Sequence, residues 1–172
     1  DPSRVSMIQI AEPSRDHVEA YVSLRERVER LVGEINGDFG RVGLPVVHYI
    51  HRTQSFAELL AMYRAADVML VTPFRDGMNL VAKEYVASRH EETGALVLSE
   101  FAGAAHQLKE ALLVNPFDID GVKNAIVAAA AMTPAEAQRR MRSMRRSVAR
   151  HDAAGWATSF ISTLRANGSP TW

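Results

Sequence analysis

The feature that most constrains this chain is an alternation. Short, continuous apolar runs at residues 5–11, 46–50, 68–71, 95–98 and 112–114 are separated by segments with helical periodicity. The runs are apolar at successive positions rather than at every second one, which is the pattern of strands covered on both faces by helices. Strands and helices that alternate in this way build a parallel sheet. The expected fold class is therefore α/β, a doubly wound parallel sheet forming a single Rossmann-like domain.

The helical segments carry their own punctuation. Val18, Tyr21, Val22, Leu24, Val28, Leu31, Val32 and Ile35 recur at spacings of three and four, and Asn36-Gly37 is expected to close that helix. Residues 37–45, rich in glycine and ending at Pro45, read as a loop. Ser55-Phe56-Ala57-Glu58 has the spacing of a capping box and predicts a helix running to Ala66. Asp120 is expected to cap a helix through about Met132, and Thr133 to cap another with Pro134 at its first position. A last helix is expected over residues 152–166.

Composition removes several classes of function. A chain of 172 residues that is 47% hydrophobic and 23% charged suits one globular domain with a sizeable core. Lys plus Arg and Asp plus Glu are equal at 20 each, so nothing in the net charge calls for nucleic acid or an anionic membrane. Absence of cysteine excludes disulfides and thiolate metal sites, and fits a cytoplasmic location. No apolar run reaches the roughly 20 residues of a membrane span, and no signal-peptide pattern opens the chain. The chain begins at Asp1 and enters a strand-like stretch almost at once, which leads us to expect a fragment of a longer protein.

The chemistry is expected at the strand-to-helix junction TPFRDGMNLVAKEYVASR, residues 72–89. Ligands of open parallel sheets bind beyond the carboxyl ends of strands, where loops lead into helix N-termini. Gly77 lets the backbone approach a ligand closely, and Asn79 is a natural N-cap for a helix beginning near Leu80. The amides of Leu80, Val81 and Ala82 would then lack intrahelical partners at the positive end of the helix dipole, where phosphate oxygens could satisfy them. Glu84 falls one turn deeper on the same face, and a carboxylate has the acceptors to take two vicinal ribose hydroxyls. Asp76, on the turn, could take the hydroxyls of a second sugar; Lys83 reads as solvated. Asp-Gly turns and Asn caps also occur without any ligand, and it is the crowding of Asp76, Asn79, Lys83 and Glu84 at one junction that favours a site.

Residues 72–87 resemble the donor-site signature of the trehalose-6-phosphate synthases, retaining glycosyltransferases built from two Rossmann-like domains in the GT-B arrangement. Gln9-Ile10-Ala11, Pro13-Ser14-Arg15, Ile35-Asn36-Gly37, His48-Tyr49, residues 99–105, Asn115-Pro116, His151-Asp152 and Trp156 resemble family segments in the same order. Phe74 stands where the family more often has Leu. The resemblance implies a carboxyl-terminal, donor-binding half: residues 1–150 as the nucleotide-sugar domain, and 151–172 as a terminal helix crossing back to an N-terminal domain that binds glucose 6-phosphate. It implies transfer of glucose from a nucleotide sugar, UDP-glucose in most of the family, to give trehalose 6-phosphate with retention and with neither cofactor nor metal. By motif, Asp76 would bind the donor glucose with the amides of Gly77, Met78 and Asn79 nearby, and would be the catalytic-centre residue. Leu80 and Val81 would meet the diphosphate, Glu84 the ribose and Arg15 the donor, with Gln54 and Ser55 facing the uracil largely through backbone.

Other functions share parts of this pattern. A relative with another acceptor, such as a glucosylglycerol-phosphate synthase or a pseudo-sugar-coupling homologue, would share the donor half, and so would a non-catalytic nucleotide-sugar-binding module. The basic run 139–146 is expected to be a solvated or interdomain helix face striped by Met141, Met144 and Val148, rather than a nucleic-acid surface. His48 and His51 point to opposite faces of a strand and are not expected to share a metal. Ser99, Glu100 and His106 lack a nucleophile-elbow pattern and read as a loop at the cleft rim. Trp156, Phe160 and Leu164 on the last helix are expected to form an exposed apolar patch able to drive self-association.

Overall fold

The structure, a computed structural model, describes residues 5–13 and 17–167. Among the described residues it contains five strands and six α-helices, which alternate as far as β4: β1 (Met7–Ile10), α1 (Glu19–Phe39), β2 (Val47–Ile50), α2 (Phe56–Ala65), β3 (Val68–Val71), α3 (Leu80–Ser88), β4 (Ala95–Ser99), β5 (Leu112–Val114), α4 (Ile119–Ala130), α5 (Pro134–Arg150) and α6 (Ala153–Asn167). A short 3₁₀ turn at Gly103–His106 lies between β4 and β5. Among the described residues the five strands pair only in parallel, as the apolar runs implied, and one isolated antiparallel bridge joins Arg41 and Leu44 in the loop before β2. Hydrogen bonding groups the strands as β1-β2 and as β3-β4-β5. The chain forms two compact units, Asp1–Glu58 and Leu59–Trp172.

In the first unit β1 and β2 pair with Met7 beside Val47 and Ile10 beside Ile50. Here one expectation fails. Gly37 does not stop α1, which continues to Phe39 and is closed by Gly40, whose amide donates to the Asn36 carbonyl. Asn36 is not a terminator but an anchor. Its Nδ2 donates to the Val47 carbonyl and its Oδ1 accepts from the amides of Val46 and Val47, all at 2.9 Å, so a side chain in the last turn of α1 satisfies the backbone at the start of β2.

The second unit is doubly wound. Leu96 and Leu98 face a core with Val71, Tyr85, Val86, Leu108, Met141 and Met144, so α3 and α5 cover one side of the sheet. Ala95 and Val97 face the other side, with Val68, Leu70, Val122 and Ala125, under α4. Every residue of β4 is buried because it is the central strand, which is why its sequence ALVLS shows no alternation. The cap of α4 is Asp118 rather than Asp120: its Oδ1 accepts from the Gly121 amide at 3.0 Å, and Asp120 lies inside the first turn, paired with Lys123. Thr133 caps α5 as its sequence implied, with Pro134 following.

Candidate functional site

The junction between β3 and α3 is organised by Asp76. Its Oδ1 accepts from the amides of Met78 and Asn79, each at 3.1 Å, and its Oδ2 accepts from the Asn79 side-chain amide at 3.0 Å. Asn79 in turn caps α3, its Oδ1 accepting from the Ala82 amide at 2.9 Å. It does so in the left-handed region, at φ 70°, which Asn tolerates better than most residues. The two side chains form a relay in which one carboxylate fixes the turn and the neighbouring amide fixes the helix. The amides of Leu80 and Val81 are left without a hydrogen-bond partner among the described residues. They are the open donors of this helix mouth.

A second layer holds the turn from behind. The Asp76 amide donates to the Phe101 carbonyl, the Gly103 amide to the Asp76 carbonyl at 3.0 Å, and the Ala104 amide to the Met78 carbonyl at 2.7 Å. Gly103 permits this approach, because a Cβ there would stand 2.1 Å from the Gly77 carbonyl oxygen. Gly77 itself has a different character. Nothing lies within 4 Å of where its Cβ would be, and its φ is not among the positive ones, so neither protein packing nor backbone strain calls for glycine there.

Glu84 stands one turn deeper on α3 and is exposed, as an acceptor for a ligand must be. Its Oε2 accepts a hydrogen bond from the Tyr63 hydroxyl at 3.3 Å. Tyr63, on α2, is only 7% exposed, and its phenol is pushed to a higher pKa by burial and then by the negative charge of Glu84. Sequence reasoning passed over Tyr63 because the contact spans 21 residues. Arg89, at the end of α3, grips the same segment of α2. Its guanidinium donates to the carbonyls of Tyr63 and Arg64 and to Thr93, and lies over the Tyr85 ring. Lys83 is half-buried rather than fully solvated.

The remaining expected positions have distinct surroundings. Arg15 lies outside the described residues. Gln54 is buried, its Nε2 donating to the Arg52 and Thr53 carbonyls while its Oε1 has no partner. Ser55 closes a capping box: its amide and hydroxyl donate to Glu58 at 2.8 Å, and its Oγ accepts from the Glu58 amide at 3.2 Å. Glu58 is consequently held below the usual carboxylate range, first by the Ser55 amide and then by its hydroxyl. Ser99 is fully buried and accepts from the Phe101 amide. Phe74 stacks on Phe117 with ring centroids 4.7 Å apart. Among the described residues no group of three His, Asp or Glu is placed to hold a metal ion, and no helix is long and apolar enough to cross a membrane.

Four of the six arginines of α5 are tied to side chains or to other segments. Arg139 pairs with Glu110, Arg140 with Glu136 and the Glu110 carbonyl, and Arg142 with Glu92, while Arg145 reaches the Arg89 carbonyl and His90. Met141 and Met144 are buried between them. The basic run is a seam between α5 and the loops after α3 and before β5.

Comparison with known proteins agrees with the resemblance carried by the turn. Residues 2–166 match the family model of glycosyltransferase family 20. The chain is 58% identical over 164 residues to the trehalose-6-phosphate synthase of Mycolicibacterium vanbaalenii, covering 95% of this chain and 33% of that protein. It resembles a UDP-forming α,α-trehalose-phosphate synthase of Burkholderia vietnamiensis (TM-score 0.88, 45% identity, 95% of this chain and 37% of that one). It also resembles an Escherichia coli protein bound with UDP-2-fluoro glucose (TM-score 0.88, 44% identity, 92% of this chain and 36% of that one). The chain thus spans about one third of the length of the curated relatives it matches.

Proposed function

This chain belongs to glycosyltransferase family 20, and on that premise we propose that it is the donor-binding part of a trehalose-6-phosphate synthase, transferring glucose from UDP-glucose to glucose 6-phosphate with retention. The observation that carries the reading is the open helix mouth: two unpaired amides, at Leu80 and Val81, behind a turn locked by Asp76 and Asn79. A diphosphate leaving group gains charge as the glycosidic bond lengthens, and fixed amides at a helix N-terminus meet that charge without reorganising. The sugar diphosphate occupies the space in front of Gly77, where a side chain would meet ligand rather than protein. Asp76 retains an acceptor position on Oδ2 for a glucose hydroxyl, beside the amides of Gly77, Met78 and Asn79. Glu84 takes the ribose hydroxyls. The resemblance also assigns Arg15, Gln54 and Ser55 to the donor, the latter two through backbone at the base.

Residues 1–150 form the nucleotide-sugar region in this reading, and the terminal segment 151–172, which the structure describes as far as residue 167, supplies through α6 the helix that packs on a partner domain holding the acceptor. The exposed Trp156, Phe160 and Leu164 on α6 support that assignment, Trp156 stacking on Phe160 at 5.3 Å. No metal or cofactor enters the proposed reaction. The test is product analysis: the intact protein with UDP-glucose should form trehalose 6-phosphate from glucose 6-phosphate, and residues 1–172 alone should not. Product from glycerol 3-phosphate instead would reassign the acceptor, and failure of the intact protein to bind UDP would overturn the donor site. Light scattering reports whether α6 drives self-association.

A further inference from the structure

We propose that Tyr63 is a positioning residue for the donor: its buried hydroxyl holds the Glu84 carboxylate in the orientation that receives the nucleotide ribose. The inference rests on the ribose reading of Glu84 and adds to it a residue that neither the turn motif nor the capping pattern contains.

Glu84 is exposed on a helix surface, where a free glutamate samples many rotamers and loses that freedom on binding. The Tyr63 hydroxyl, 3.3 Å from Oε2, gives it one fixed donor. A tyrosine suits this task because it has few torsions and its ring is locked by burial in the core with Leu59 and Tyr85. The backbone behind it is held as well, since Arg89 donates to the Tyr63 and Arg64 carbonyls from the far end of α3. Helix α3 therefore carries both the carboxylate and the clamp that places its partner. Burial and the Glu84 charge keep the phenol protonated well above neutral pH, so it remains a donor. With one lone pair of Oε2 occupied, Oε1 and the rest of Oε2 stay free for two vicinal hydroxyls. Ordering the carboxylate before the ligand arrives lowers the cost of binding.

The experiment is calorimetric titration of the intact protein with UDP and with 2′,3′-dideoxy-UDP. Tyr63→Phe, which keeps the ring, should weaken UDP by about three- to tenfold and leave dideoxy-UDP unchanged. Glu84→Ala should weaken UDP by about tenfold or more, and adding Tyr63→Phe to it should cost nothing further. Glu84→Gln reads the same contact without touching α2, and should again lose affinity for UDP and not for dideoxy-UDP. Thermal unfolding of each variant establishes that it is folded. Equal weakening of both nucleotides by Tyr63→Phe, or additivity with Glu84→Ala, would overturn the positioning role. Wild-type UDP affinity in Tyr63→Phe alongside a weakened Glu84→Ala overturns it too, while leaving the ribose reading intact. Wild-type affinity in Glu84→Ala overturns both.

Discussion

The starts of α2 and α3 use similar caps but place their carboxylates differently. At α2, Ser55 and Glu58 satisfy each other's amides, and the carboxylate is consumed by its own helix. At α3, Asn79 satisfies only Ala82, Asp76 is spent on the turn ahead, and the carboxylate one turn in is held by another helix. Each arrangement satisfies the cap amide and the third amide of its helix and leaves the first two, Phe56 and Ala57 at α2 and Leu80 and Val81 at α3, without a hydrogen-bond partner among the described residues. A polar cap is therefore not itself a sign of a site. What distinguishes the two is where the carboxylates are bound: Glu58 to its own cap at α2, and at α3 Asp76 to the preceding turn and Glu84 to Tyr63 of another helix.

Four changes would break or sharpen this contrast. The largest effect is expected from Gly103→Ala, whose Cβ would meet the Gly77 carbonyl oxygen at 2.1 Å. We expect about 3 kcal/mol lower stability by chemical denaturation and loss of UDP-glucose binding, because the turn must move. Unchanged binding would mean that the turn position does not matter. Next, Asp76→Ala removes the acceptor for Met78, Asn79 and the Asn79 side chain, and should lower glucosyl transfer by roughly a hundredfold in steady-state assays. Because those bonds shape the turn, UDP affinity should fall as well, which a role confined to the sugar would not produce.

Ser55→Ala tests the capping box of α2. It should cost about 1 kcal/mol of stability while UDP affinity stays within about twofold. A tenfold loss of affinity would instead make the start of α2 a ligand-binding element through its side chain. The smallest effect concerns pH. Glu58 has a folded pKa below its ordinary value, so its contribution is complete above the unfolded pKa and is lost as pH falls through the folded one. Asn79 does not titrate. Amide exchange in α2 should accelerate on acidification below about pH 4 relative to the Ser55→Ala variant, in which the dependence is weaker.

Legibility in the sequence followed the range of the interaction. The bounds of β3 and β5, the capping box at Ser55 and the caps at Asn79 and Thr133 were readable because each depends on residues within a few positions. Asn36-Gly37 misled because Asn is both a good helix terminator and a good anchor, and its bonds go to residues 10 and 11 positions away. Asp118 and Asp120 are both plausible caps by type, and only the backbone turn selects between them. The apolar stripe of α5 at Met141 and Met144 was readable from helical spacing, but the pairing of its arginines with Glu92 and Glu110 needed the fold.

By itself the sequence determined the parallel α/β class, the helix mouth at Asn79 and the family motif, because apolar periodicity and cap chemistry act along the chain. The tertiary structure alone decided that Gly103 gives way to the turn, that Tyr63 meets Glu84 and that Arg89 braces Tyr63. Those contacts join residues 21 to 26 positions apart, on elements brought together only when a shared core is buried.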